Sequence, residues 1–203
     1  MDPRPAIDRL LRRLPVWPIY AGSTAHALWR FAEAAAGRMG PNPVEALEHA
    51  YGKAALWLLV AGLAVTPLRR LARINLYRFR RALGLSCFLF VVLHLVVWAV
   101  LDVQSAARVW ADIVKRPYIT IGMSAFALLV PLAATSNEFS LRRLGPAWRR
   151  LHRLVYPAAV LAGLHYVWLA KGFQIEPLVY LALILGLVAL RLPGVSPLAR
   201  GVR

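Results

Sequence analysis

Apolar residues in this chain fall in long runs rather than alternating with polar ones. The stretches at about 54–68, 82–101, 118–135, 154–170 and 177–192 are almost free of charge, and a weaker run covers 14–31. Several approach the roughly 20 residues a helix needs to cross a ~30 Å hydrocarbon layer. The first run contains Pro15, Pro18, Ser23, Thr24, His26 and Arg30. Prolines at a helix start are tolerated, because the first turn lacks internal N–H partners. The N-terminus is basic but has no clean apolar core followed by a small-residue cleavage site, so its helix is expected to stay in the membrane. The pattern predicts an all-α fold: one polytopic membrane bundle of six transmembrane helices, forming a single domain over 1–203.

Charge then orients the bundle. The net charge is +16, with mean hydropathy of +0.57. The cations cluster between apolar runs, unlike a basic nucleic-acid face interleaved with aromatics. The expected surroundings are therefore membrane lipid, with no nucleic-acid partner. Arg4, Arg9, Arg12 and Arg13 precede the first run; Arg69, Arg70, Arg73, Arg78, Arg80 and Arg81 join the second to the third. Arg142, Arg143, Arg149, Arg150 and Arg153 face only Glu138 between the fourth and fifth, and Arg191, Arg200 and Arg203 close the chain. The alternate connections are nearly balanced: Arg38 and Lys53 with Glu33, Glu45 and Glu48; Arg108, Lys115 and Arg116 with Asp102 and Asp112; Lys171 with Glu176. Every second loop is basic, which predicts both termini cytoplasmic. No phosphate loop, dinucleotide fingerprint or large soluble domain is present. A redox protein of this build must take electrons from a quinol, a small bound flavin or a separate protein. The lone Cys87 excludes an internal disulfide and any Cys-based zinc or iron–sulfur site from this chain alone; it reads as a small buried hydrophobe.

Five histidines carry the remaining chemistry: His26, His49, His94, His152 and His165. His94 and His165 each sit in an apolar run without a polar neighbour, and ionisable residues in spans usually face a bundle interior or a functional site. Two isolated imidazoles need partners. A heme iron between them satisfies both; interhelical hydrogen bonds are the other solution. Depth favours the first, because the third and fifth helices run in one direction. When His94 is aligned with His165, Arg81 falls level with His152, both intervals being thirteen residues, or about 20 Å along a helix. Thirteen residues also rotate by roughly 220°, so His152 and His165 do not share a face. His152 lies near the cytoplasmic edge, where it can ligate a second heme with a non-protein or distant ligand, contact a propionate, or bind flavin or quinone. Arg81 cannot ligate iron; it can pair with a propionate or phosphate, or snorkel as a topology determinant. His26 is the competing ligand, although Ser23 and Thr24 offer it simpler partners. His49 is expected in a solvated or interfacial setting.

The run Gly40 to Gly52, the segment Ala64–Val–Thr–Pro–Leu–Arg–Arg70 and the segment Arg80–Arg–Ala–Leu–Gly–Leu85 with His94 resemble one family. So do Lys115–Arg–Pro–Tyr–Ile–Thr–Ile–Gly122 and Trp148–Arg–Arg–Leu–His–Arg–Leu–Val–Tyr156 leading to His165 and Lys171. These segments resemble, in order and over almost the whole chain, the heme-binding membrane subunits of the periplasmic methionine sulfoxide reductase system. That family is itself similar to the transmembrane domain of ferric reductases and NADPH oxidases. The resemblance implies a bacterial inner-membrane location, b-type heme (heme b) and bound FMN. It implies electrons from the quinone pool or a cytosolic flavin reductase, delivered to a periplasmic molybdopterin-containing catalytic subunit that reduces methionine sulfoxide. Iron-ligand histidines carry over to His94, His152 and His165. The pattern of two histidines on each of two helices is incomplete, because Arg81 stands in the fourth place.

The implied direction is inward to outward. Electrons enter near Arg78, Arg80, Arg81, Arg149, Arg150 and Arg153, which can hold a flavin phosphate or propionates. They leave at a face containing Arg108, Lys115, Arg116 and Tyr118. The chain is then an electron-transfer subunit, and the cofactor carries the chemistry. The rival readings are a stand-alone ferric or quinone reductase and a non-redox transporter or assembly factor.

Overall fold

The computed structural model describes residues 11, 13–170 and 174–191. Arg4, Arg9, Arg12, Lys171, Arg200 and Arg203, and the last residue of the predicted 177–192 run, lie outside them. Among the described residues no strand forms. The helices are α1 (Trp17–Ala35), α2 (Pro43–Pro67), α3 (Arg80–Val96), α4 (Ala106–Lys115), α5 (Pro117–Ala134), α6 (Glu138–Leu144), α7 (Pro146–Leu151), α8 (Val155–Leu169) and α9 (Ile175–Ala189). Proline opens α1, α2, α5 and α7 within the first turn, where its missing N–H costs nothing. Wider π turns extend α2 through Leu68–Ala72 and α3 through Val97–Val103. Each extension stops at a left-handed residue, Arg73 (φ 59°) or Gln104 (φ 57°).

Among the described residues three segments have the length and hydropathy to cross a bilayer: Pro43–Ala72, Tyr77–Val103 and Pro117–Ala134. The predicted runs at 154–170 and 177–192 become α8 and α9. These have 15 residues each, which rise only about 22 Å. The first run becomes α1, whose 19 residues include Ser23, Thr24, His26, Arg30 and Glu33.

Two connections hold more structure than their charges suggested. The basic 136–153 segment folds into α6 and α7. The 102–117 segment contains α4, with Val109 and Ile113 on one side and Arg108, Asp112 and Lys115 on the other. That 3.6-residue period was readable, and counting charges passed over it.

The bundle is built on α2, which buries Leu47, Tyr51, Ala55, Leu59 and Leu63 at four-residue spacing. This stripe packs with Cys87 and Phe90 of α3, Ala159 of α8 and Ile184 of α9. Ala158, fully buried on α8, joins Leu129 and Leu132 of α5 in a second cluster. Small residues let α8 approach its neighbours closely. A Cβ at Gly163 would stand 3.0 Å from Leu181 of α9.

Neighbouring long helices alternate in direction, so their ends gather at two poles. At one, Arg191 donates to the Leu63 carbonyl and the Tyr156 hydroxyl, Arg70 to the Leu190 carbonyl and Arg78 to the Leu11 carbonyl. At the other, Lys53 pairs with Glu176 at 2.9 Å, and the Trp57 indole N–H donates to the Tyr180 hydroxyl. Toward that second pole the Tyr51 hydroxyl, on a buried side chain, donates to the Ala27 carbonyl at 2.8 Å and ties α1 to α2. Tyr51→Phe is expected to cost about 0.6–1 kcal/mol in a denaturation titration. The faster hydrogen exchange should be confined to α1.

Candidate cofactor-binding site

Near the second pole α3 and α8 bring His94 and His165 together, with ring centroids 6.3 Å apart and planes at 78°. Each ring has one nitrogen engaged by a different helix. His94 Nδ1 lies 2.9 Å from the Glu48 carbonyl of α2, and His165 Nδ1 lies 2.7 Å from the Tyr118 carbonyl of α5. A carbonyl only accepts, so in both rings Nδ1 carries the proton and donates. Nε2 is left as the basic nitrogen of each imidazole.

The spacing suits a metal held between the rings. An ion midway between the centroids would stand half of 6.3 Å from each. A metal–nitrogen bond of about 2 Å, with about 1.1 Å from ring nitrogen to centroid, spans that length. Nδ1–H bonds to backbone carbonyls are also the support that metal-bound histidines receive. Among the described residues no group of three or more His, Cys, Asp or Glu side chains could hold a metal ion.

His152 sits apart, at the arginine-rich pole. It occupies a 3₁₀ turn ahead of α8. Its ring stacks on Trp148 with centroids 3.8 Å apart, and its Nε2 is 3.1 Å from the Thr135 hydroxyl at the end of α5. Burial, and then the neighbouring Arg80 charge, hold its pKa below the ordinary histidine value. The cation beside His152 is thus Arg80, which is half-buried, while Arg81 is exposed. Matching intervals placed Arg81 at the right level but not on the right face. Arg80 precedes His94 by fourteen residues, close to four full turns, and so shares its side of α3.

The other arginines surround this pole. Arg78, Arg149, Arg150 and Arg153 are exposed, with Arg78 lying over the Phe79 ring. The structure does not bring His26 or His49 into the outer pair. His26 is exposed on α1, edge-on to Trp29 and Phe90, and His49 is exposed on α2. Sequence reasoning missed the partners of the histidines: Glu48 and Tyr118 through their carbonyls, and Trp148 and Thr135 through their side chains. Only Trp148, four residues before His152, carried a visible signal, the helical i,i+4 spacing.

An apolar helical bundle that brings two imidazoles together from two helices defines a membrane protein with a paired-histidine site. Residues 50–163 match the family described as ferric reductase like transmembrane component. The chain is 41% identical over 202 residues to the protein-methionine-sulfoxide reductase heme-binding subunit MsrQ of Agrobacterium fabrum, covering 98% of this chain and 94% of that protein. It is 44% identical over 188 residues to the MsrQ of Rhizobium meliloti, covering 92% and 87%. With the MsrQ of Brucella ovis it shares 43% over 178 residues, covering 87% and 81%. No solved structure matches. The chain belongs to the ferric reductase-like transmembrane family, among its MsrQ members.

The inner site yields a pH prediction. Neutral His152 is favoured in the fold, so its contribution to stability is present above about pH 6.5 and declines as pH falls through the folded pKa. Arg80→Gln removes a repelling charge and should raise that pKa toward the ordinary value. The change is measurable as the pH midpoint of Trp148 emission, quenched by protonated imidazole and isolated by subtracting the Trp148→Phe protein.

Proposed function

We propose that this protein is the heme-bearing membrane subunit of a methionine sulfoxide reductase, carrying electrons from the cytoplasmic to the periplasmic side of a bacterial inner membrane. The observation that carries the reading is the His94–His165 pair, two Nδ1-anchored imidazoles at the separation an iron needs. Interhelical hydrogen bonding accounts for one nitrogen of each ring, and heme iron gives the Nε2 atoms of both rings a shared role.

In this reading the helices make six crossings with both termini cytoplasmic, and the pole rich in arginine faces the cytoplasm. Charge supports it. The 66–81 and 136–153 connections hold eleven arginines against one acid, Glu138, whereas three cations of the other pole are paired with acids: Arg30–Glu33, Lys53–Glu176 and Arg116–Asp112. Fusion of an alkaline phosphatase reporter after Trp110 should give activity and fusion after Gly145 none. The reverse pattern would overturn the orientation.

His94 and His165 would hold a b-type heme. Such a group supplies reversible one-electron iron chemistry. The chain's own contribution is to fix both imidazoles in one tautomer and keep them in an apolar interior, which sets position and potential. At the cytoplasmic pole Arg78, Arg80, Arg81, Arg149, Arg150 and Arg153 offer cations to the phosphate of FMN or to propionates. His152 with Trp148 offers a flat polar platform beside them. Electrons come from a quinol or a cytosolic flavin reductase. The periplasmic molybdopterin-containing catalytic subunit receives them at the face bearing Arg108, Lys115, Arg116 and Tyr118. There Arg116 donates to the Tyr118 hydroxyl at 3.3 Å, and the Tyr118 backbone holds His165.

Purified protein should show a reducible low-spin heme spectrum. His94→Ala and His165→Ala should each lower the heme measured per polypeptide by pyridine hemochrome at least about tenfold, the loss expected when a first ligand goes. Full heme in both variants would refute the ligand assignment.

A further inference from the structure

The two outer histidines are held by one device, used twice. His94 donates to the carbonyl of residue 48 and His165 to that of residue 118. In each case the residue four positions further along the accepting helix is a glycine, Gly52 or Gly122. In an α-helix the carbonyl of residue i already accepts the N–H of residue i+4. The Cα–Cβ bond of residue i+4 tilts toward the helix N-terminus, back over that carbonyl. An imidazole reaching the carbonyl's second lone pair must therefore enter the space that the Cβ of residue i+4 would fill.

The distances bear this out. A Cβ on Gly122 would stand 2.9 Å from His165 Nδ1, closer than real Cβ contacts come, and 3.0 Å from its Cε1. A Cβ on Gly52 would stand 3.3 Å from His94 Nδ1 and 3.4 Å from its Cε1, tight but with room to give. Gly22, Gly62, Gly84 and Gly186, also inside long helices, would meet nothing within 4 Å. Glycine inside a helix is unfavourable to the backbone, so its use at these two positions has a reason that the other four do not share.

We infer that Gly52 and Gly122 are positioning residues that open a backbone carbonyl to each axial imidazole, fixing the proton on Nδ1 and the donor strength of Nε2. The inference rests on the reading that His94 and His165 ligate heme, and it adds a ranking: Gly122 is the stricter position. A carbonyl bonded to Nδ1–H makes the imidazole a stronger donor and favours the ferric state. Losing that bond should raise the midpoint potential.

The test uses full-length protein with Gly122→Ala, Gly52→Ala, Gly62→Ala and Gly84→Ala, the last two on the same helices as Gly52 and His94. The readouts are heme transfer to apomyoglobin, optical midpoint potential and the low-spin electron paramagnetic resonance signal. Gly122→Ala should retain heme at least about tenfold less tightly, or keep it with a potential shifted positive. Gly52→Ala should shift the potential the same way by less, and it carries the test if Gly122→Ala does not accumulate. Gly62→Ala and Gly84→Ala should match the parent in all three readouts. Parent-like retention, potential and resonance in Gly52→Ala and in any Gly122→Ala that accumulates would overturn the inference, as would equal shifts in all four proteins. Loss of heme in His94→Ala and His165→Ala alongside that result would leave the ligand reading standing, so the two failures are distinguishable.

Discussion

Inside an apolar bundle the backbone has little to offer a polar side chain. Every N–H of a regular helix is spent on its own carbonyl, and water is absent. What remains is the second lone pair of each carbonyl, available only where a neighbouring side chain can reach past the helix surface. His94 and His165 both use it. That choice constrains which helices touch. α3 must lie against the early turns of α2, and α8 against the first turn of α5, before the two rings can meet.

The two poles differ in kind as a result. Around the outer pair the contacts are backbone carbonyls, and Arg30, Lys53 and Arg116 of that pole are paired with carboxylates. Around His152 the contacts are a hydroxyl and an indole, and an arginine stands beside the ring. The separation of these environments along one bundle gives the protein its polarity, independently of what occupies either end.

The helical class and the meeting of His94 with His165 were legible because both follow from one-dimensional quantities: run length and distance along parallel helices. Azimuth was not. Arg81 was matched to His152 by level, while Arg80 is the residue beside it, because a match in rise says nothing about rotation unless the interval is near a whole number of turns. Carbonyl partners were invisible for a different reason, since every residue carries one and no side chain advertises its use. The glycines one turn further along were in view within Gly40–Gly52 and Lys115–Gly122, but their meaning depends on which histidine faces them. α4 was hidden by method: its opposed charges cancel in a count and separate only when wrapped on a helix.

The helix α5 touches both sites. The carbonyl of Tyr118, at its start, holds His165, and the hydroxyl of Thr135, just past its end, holds His152. One rigid rod of seventeen steps, about 25 Å, therefore sets the interval between the outer pair and the inner site. Bilayers of different thickness are accommodated by tilting helices rather than stretching them. Tilt moves both anchors as one body, so the gap between the two histidine sites stays constant while the depth of each in the lipid varies.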